Sequence, residues 1–219
     1  MGYYPIFLDL RARPCVVIGG GDEAERKTHE LLDAGAEVTV ISADHSAVYE
    51  QLSLDRRIRL ERRDYRQGDL AGAFLALSAT TSNRELSERV AAEAEEQRVL
   101  LNVVDVTDLC TWIYPAVVRR GDATIAISTN GRSPAMARFL KRRVEEAVPE
   151  EFAVLLDILA DIRQELREER LRPSPGSWQD ALDGETLTLA AGHDWDAVRN
   201  RIKLSLATSS AVRNQDIDE

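Results

Sequence analysis

Three groups of residues in this 219-residue chain have types and spacings that can do chemistry. The first is Gly19-Gly20-Gly21-Asp22-Glu23-Ala24, which fits the G-x-G-x-x-A spacing suited to a dinucleotide pyrophosphate. The first glycine permits a tight turn, and the glycine two residues on lets backbone approach a phosphate. The small Ala24 lets a helix pack closely on a strand. Free amides and the positive dipole end of a helix starting here favour phosphate charge. A plain structural turn suits the same residues, so context decides: a strand before, a helix after and a further strand beyond favour the nucleotide. Ser42 ends that further strand, where a ribose-binding acid often stands, and Asp44 follows two residues later. Asp44 suits either a ribose contact or a turn. No arginine adjoins Ser42 to select a 2′-phosphate, so NAD is expected rather than NADP.

The second group is Asn102-Val103-Val104-Asp105. Its acid falls at the C-terminal end of a predicted parallel strand, the edge where open α/β sheets bind ligands. A carboxylate there can take or hold a proton beside a reacting centre, or it can cap the following turn. Spacing leaves both open. The third group is cationic: Arg119, Arg120, Arg132, Arg138, Lys141, Arg142 and Arg143 stand within 25 residues that hold one acid, Asp122. The next 28 residues, to Leu171, hold nine acids and three arginines. The basic stretch suits either a multiply anionic small molecule or a solvated helix face with i,i+4 pairs.

The elements that must position these groups are readable from periodicity. Short β-branched runs predict strands at Arg13–Gly19, Glu37–Ile41, Ile58–Tyr65, Phe74–Ala79 and Val99–Val104. Helices are predicted at Asp22–Ala34, with Gly35 as its stop, and from an Asn83 cap to about Gln97. Alternation of strand and helix implies right-handed crossovers and a parallel, Rossmann-like sheet covered on both faces, over residues 1–113. Beyond it, Ala116–Arg119 and Thr124–Ser128 read as a pair of short strands. Ser133-Pro134 then caps a helix to about Val148 with Met136, Ala137, Leu140 and Val144 on one side. A further helix spans Glu150–Arg170, with Val154, Leu155, Ile158, Leu159, Ile162 and Leu166 as its stripe. Residues 177–207 predict two short helices, one of them Trp195–Leu206, and the polar stretch from Ser209 is expected to fray.

Composition removes several classes. A hydrophobic fraction of 44% with 30% charged residues is that of an ordinary folded domain. A formal net charge of −10 argues against a general nucleic-acid binder, and no apolar run is long enough to span a membrane. The N-terminus lacks a basic segment followed by an apolar one, and Cys15 and Cys110 form no paired spacing, so a cytoplasmic setting is expected. His29, His45 and His193 form no ligand spacing, and no resident metal site is expected. Cys110 suits a small buried hydrophobe or, beside Asp105, a contact with substrate or metal.

Across residues 3–148 the chain resembles the precorrin-2 dehydrogenase/sirohydrochlorin ferrochelatase family, the N-terminal module of siroheme synthase. The matching residues run in order from Tyr4-Pro5-Ile6-Phe7 through Gly19-Gly20-Gly21, Ala24-Glu25-Arg26-Lys27 and Ala34-Gly35-Ala36. They continue through Ala79-Thr80-Thr81, Asn102-Val103-Val104-Asp105, Pro115, Ile125-Ala126-Ile127-Ser128 and Ser133-Pro134-Ala135. The resemblance implies a homodimer with a dimerisation region at 114–149 and a small helical domain at 150–219. It implies NAD-dependent oxidation of precorrin-2 to sirohydrochlorin, and in some members Fe²⁺ insertion, with iron only a transient visitor. The cofactor is then expected on Gly19, Gly20, Gly21, Asp22, Glu23 and Ala24, with Ser42, Thr80 and Val104. Asp105 falls at the aspartate implicated in both steps. The eight carboxylates of precorrin-2 require cations and donors, for which Arg119, Arg120, Ser128, Thr129, Asn130 and Arg138 are the candidates. Arg138 suits either substrate or structure, and Arg132 and Ser133 stand beside the same turn. With 219 residues there is no room for an added methyltransferase, so another protein is expected to make precorrin-2. A non-catalytic nucleotide-sensing module is the alternative class, although it requires neither Asp105 nor the arginines.

Overall fold

The strand β1 (Pro14–Ile18) sends Cys15 and Val17 to one face of a sheet and Val16 and Ile18 to the other, and all four are buried. Such a strand belongs in the middle of a sheet covered on both sides. In the computed structural model, which describes residues 2–80 and 83–215, it has that place. It is joined by β2 (Glu37–Ile41), β3 (Ile58–Glu61), β4 (Leu75–Ser78) and β5 (Leu100–Val103) in the parallel order β3-β2-β1-β4-β5. Ile18 pairs with Ile41 on one side and Ser78 on the other, and Ser78 pairs with Val103. The C-terminal ends of these strands therefore share one edge.

Helices α1 (Asp22–Asp33) and α2 (Ala47–Leu54) cover one face through Ala24, Leu31, Tyr49 and Leu52. Helix α3 (Arg84–Gln97) covers the other through Val90 and Ala94. The expected Rossmann-like sheet is thus present, and the Asn83 side chain caps α3 by accepting from the Leu86 amide at 3.0 Å. Two features differ from expectation. Helix α2, capped by Ser46, is only eight residues long, too short for its apolar residues to display a helical period. The third strand stops at Glu61 instead of Tyr65, because the chain turns to bury Tyr65 and Leu70 against α3. Glu93, itself buried in α3, accepts from the amides of Gly68 (3.0 Å) and Leu70 (2.7 Å) and from the Tyr65 hydroxyl. This loop, rather than a helix, connects β3 to β4.

By its contacts the chain divides into two compact units: residues 1–114 with 130–132, and residues 115–129 with 133–219. The second unit opens with an antiparallel hairpin of β6 (Ala116–Arg120) and β7 (Ala123–Ile127). Helix α4 (Pro134–Ala147) follows, its start capped by Ser133 Oγ, which accepts from the Met136 amide at 3.1 Å. Four helices complete the unit among the described residues: α5 (Phe152–Glu168), α6 (Pro175–Asp180), α7 (Gly184–Ala191) and α8 (Trp195–Gln215). Leu155, Ile158 and Ile162 of α5 meet Val198, Ile202 and Leu206 of α8 in a separate core. Val154, expected in that stripe, is exposed. After α5 the structure has three helices where two were expected, since Pro175 and Gly184 each start a short one. The last helix does not fray at Ser209 but continues to Gln215. Helix α4 buries none of its residues, and Met136, Phe139 and Leu140 remain exposed.

Candidate functional site

The glycine loop joins the end of β1 to the start of α1. Gly19 has φ +116°, and a Cβ there would lie 3.3 Å from the Ala79 carbonyl oxygen at the end of β4. Gly20 is pressed against the segment after β2. A Cβ on it would lie 2.0 Å from the Asp44 carbonyl oxygen, 2.7 Å from Ser42 Oγ and 2.8 Å from His45 Cα. Gly21 is the opposite case: no atom lies within 4 Å of where its Cβ would stand. It is also the N-cap of α1, and no side chain caps the helix there. The first amides of α1 are therefore left for a ligand, beside open space, at the positive end of the helix dipole.

Acids in the first turn of α1 would oppose an anion unless they were engaged elsewhere. Glu23 takes two hydrogen bonds from Arg26, at 3.1 and 2.6 Å, and Glu25 accepts from the Ser46 hydroxyl at 2.7 Å. Asp22 is exposed, and Ala24 is fully buried where close helix packing requires a small residue. Ser42 is buried, and its hydroxyl donates to the Asp44 carbonyl at 2.5 Å, tightening the turn that supports Gly20. The Asp44 side chain is exposed. Thr80 is half-buried with its hydroxyl 3.0 Å from Ser78 Oγ, while Thr81 lies outside the described residues. These features fit a dinucleotide pyrophosphate on the glycine loop.

Asp105 stands just past β5 at the same edge of the sheet. The Val104 amide extends the ladder to the Ser78 carbonyl (2.9 Å), after which the chain turns and Asp105 is exposed with φ +59°. The turn Asn130–Arg132 packs with this unit: a Cβ on Gly131 would lie 3.5 Å from Thr107 Cγ2, two residues beyond Asp105. Asn130, with φ +53°, is exposed there. The structure thus brings the turn that carries Asn130 against Thr107, in the segment that follows Asp105.

The other candidate residues belong to the second unit. Arg119, Ser128 and Arg138 are exposed there. Thr129 is half-buried, its hydroxyl donating to the Ser133 carbonyl at 3.1 Å and accepting from the Ser133 amide at 3.3 Å. Arg120 differs from its expected role. Its guanidinium donates to the carbonyls of Val148 (2.7 Å), Arg119 (2.8 Å) and Glu145 (3.4 Å), and it pairs with Glu150 at 3.0 Å. It closes the C-terminus of α4, because four last-turn carbonyls of a helix lack partners of their own.

One neighbour of the glycine loop, His45, carries no motif signal. His45 is held by Glu50 through Nε2 at 2.6 Å, while its buried Nδ1 has no protein partner. Arg62, then His45, hold the Glu50 carboxyl down at about 2. Lys27 is buried with its ammonium 3.2 Å from the centre of the Tyr114 ring, and burial lowers its pKa. Among the described residues no three His, Cys, Asp or Glu side chains group to hold a metal ion, and no helix is long and apolar enough to cross a membrane.

A parallel sheet whose glycine loop leaves bare amides at a helix start defines a nucleotide-binding α/β domain. The chain belongs to the family described as putative NAD(P)-binding, whose model matches residues 6–116. A second model, described as sirohaem biosynthesis protein central, matches residues 120–147, and the resemblance drawn from the motifs is borne out. The chain is 39% identical over 214 residues to the siroheme synthase of Methylococcus capsulatus, covering 96% of this chain and 44% of that protein. To the siroheme synthase of Photobacterium profundum it is 34% identical over 212 residues, covering 95% and 45%. It therefore spans less than half the length of these curated relatives. The solved structure of SirC, precorrin-2 dehydrogenase, superimposes with a TM-score of 0.70 at 23% identity, covering 95% of this chain and 99% of that one. That likeness is one of fold.

Proposed function

We propose that this chain oxidises precorrin-2 to sirohydrochlorin, passing a hydride to NAD⁺ and releasing a proton. The observation that carries the reading is the shared sheet edge: an open Gly21 at an uncapped helix start, and an exposed acid, Asp105, two strands away. NAD⁺, when bound, supplies the hydride acceptor. The amides of α1 and the glycine loop hold its pyrophosphate, and Ser42 holds the turn that braces Gly20. Thr80, just past β4, and Val104, just past β5, are assigned to the cofactor as well. Asp105 takes the proton that leaves the substrate as the hydride departs. Arg119 and Arg138, exposed and with no ion pair among the described residues, are assigned to substrate carboxylates. Ser128, Thr129 and Asn130 are assigned as neutral donors.

The working form is proposed to be a homodimer, supported by the exposed Met136, Phe139 and Leu140 of α4. Fe²⁺ insertion into the product is proposed as a second step, with Asp105 taking up the pyrrole protons. Anaerobic mixing with precorrin-2 and NAD⁺ tests the oxidation by the rise of NADH absorbance; no rise overturns it. Asp105→Asn is expected to bind NAD⁺ as the wild type does and to give no NADH, and normal turnover refutes its role. Adding Fe²⁺ to the sirohydrochlorin formed tests the second step by loss of the free product's spectrum.

A further inference from the structure

Asp105 adopts a left-handed backbone conformation, which an aspartate takes more readily than most residues with a Cβ, and its turn is braced from beyond its own backbone. One bond lies within the turn: the Val106 amide donates to the Val103 carbonyl at 3.2 Å. The rest comes from a returning segment. Cys110 Sγ accepts from the Val103 amide at 3.2 Å and lies 3.2 Å from the Val103 carbonyl and 3.4 Å from the Val106 carbonyl, either of which its S–H can reach. These carbonyls bracket Asp105 in the chain. Asn102, buried at the end of β5, donates from Nδ2 to the Trp112 carbonyl at 3.0 Å. Between them Thr111 donates its amide to Leu101 at 2.8 Å and accepts the Leu101 amide on its hydroxyl at 2.8 Å. Residues 110–112 are thus tied to residues 101–103, closing the base of the loop that presents Asp105.

The geometry points to Asn102 and Cys110 as positioning residues that hold Asp105 in its left-handed turn. The assignment rests on the proton-handling role proposed for Asp105. A thiol suits this place because it donates and accepts at once. Burial raises the Cys110 pKa, so the S–H persists at neutral pH. A cysteine acting only as a small apolar filler would tolerate any side chain of its size.

The test uses the full chain with precorrin-2 and NAD⁺. Asn102→Ala and Cys110→Ala are expected to lower kcat about tenfold while KM for precorrin-2 and Kd for NAD⁺ stay within about twofold. Cys110→Ser, which can still donate and accept, is expected to recover roughly half or more of the wild-type kcat. Cys110→Val fills the space without a donor and is expected to behave like Cys110→Ala. If a variant loses its cooperative thermal transition, the comparison of Cys110→Ser with Cys110→Val decides. Equal kcat for those two overturns the positioning role. So does wild-type kcat in both alanine variants while Asp105→Asn is inactive, and the role of Asp105 then stands. Full turnover by Asp105→Asn overturns both.

Discussion

Adding one methyl group to the glycine loop separates its two structural duties, because Gly20 and Gly21 face opposite surroundings. In Gly20→Ala the new Cβ would stand 2.0 Å from the Asp44 carbonyl, and ordinary contact begins near 3.4 Å, so backbone must move by about 1.4 Å. The obstacle is not a flexible side-chain tip. It is a segment pinned by the Ser42–Asp44 hydrogen bond and continuing into Ser46, which caps α2 and bonds Glu25. Overpacking of this kind costs about 1–3 kcal/mol and a lost hydrogen bond about 1 kcal/mol more. The smaller entropy of the unfolded alanine chain returns about 0.4–1 kcal/mol. A net loss of about 2 kcal/mol is expected, which lowers Tm by about 4–8 °C in a chain of this size. Gly21→Ala meets nothing within 4 Å and has φ −79°, a conformation alanine adopts freely. With the same entropy gain and nothing to oppose it, Gly21→Ala is expected to raise Tm by about 1–4 °C and to weaken NAD⁺ binding at least about tenfold by filling space beside the phosphates. Thermal unfolding by circular dichroism and calorimetric titration with NAD⁺ measure the two effects. A Gly20→Ala variant as stable as wild type refutes the first argument, and wild-type affinity in Gly21→Ala refutes the second.

Other outcomes follow from single contacts. Glu93→Gln places an amide among two backbone N–H donors and is expected to lower stability by about 1–3 kcal/mol, read from the urea midpoint. Arg62 and His45 hold Glu50 down at about 2 from 4.5, so the stability it contributes is present above pH 4.5 and lost as pH falls toward 2. The difference in stability between wild type and Glu50→Gln should therefore shrink across that window, and a constant difference rejects the linkage. Phe139→Glu charges the exposed face of α4 and is expected to abolish the proposed dimer by light scattering; a monomeric wild type rejects the homodimer itself.

Much of the glycine loop and of the elements around it was legible because those signals are local. A β-branched run before three glycines and a helix pattern after them located the loop, and the caps Asn83 and Ser133 marked helix starts that the structure reproduces. Helix α2 was not legible, since eight residues cannot display a period. Arg120 was misleading for a different reason. An arginine in a basic stretch advertises charge, but besides Glu150 and the Arg119 carbonyl its partners are carbonyls at the far end of α4, 25 and 28 residues away.

The order of residues by itself determined the parallel sheet, the glycine loop and the acid placed after a strand, because turn chemistry and side-chain periodicity act between near neighbours. Only the tertiary structure decided which glycine serves which purpose. Gly20 is required by the Asp44 backbone and Gly21 faces open space, a distinction made by a segment two elements away. It also decided what holds Asp105 in its turn, since Asn102 and Cys110 act through a chain that leaves β5 and comes back to it. Hydrogen bonds of that kind depend on where the backbone returns, and residue order carries no local signal of it.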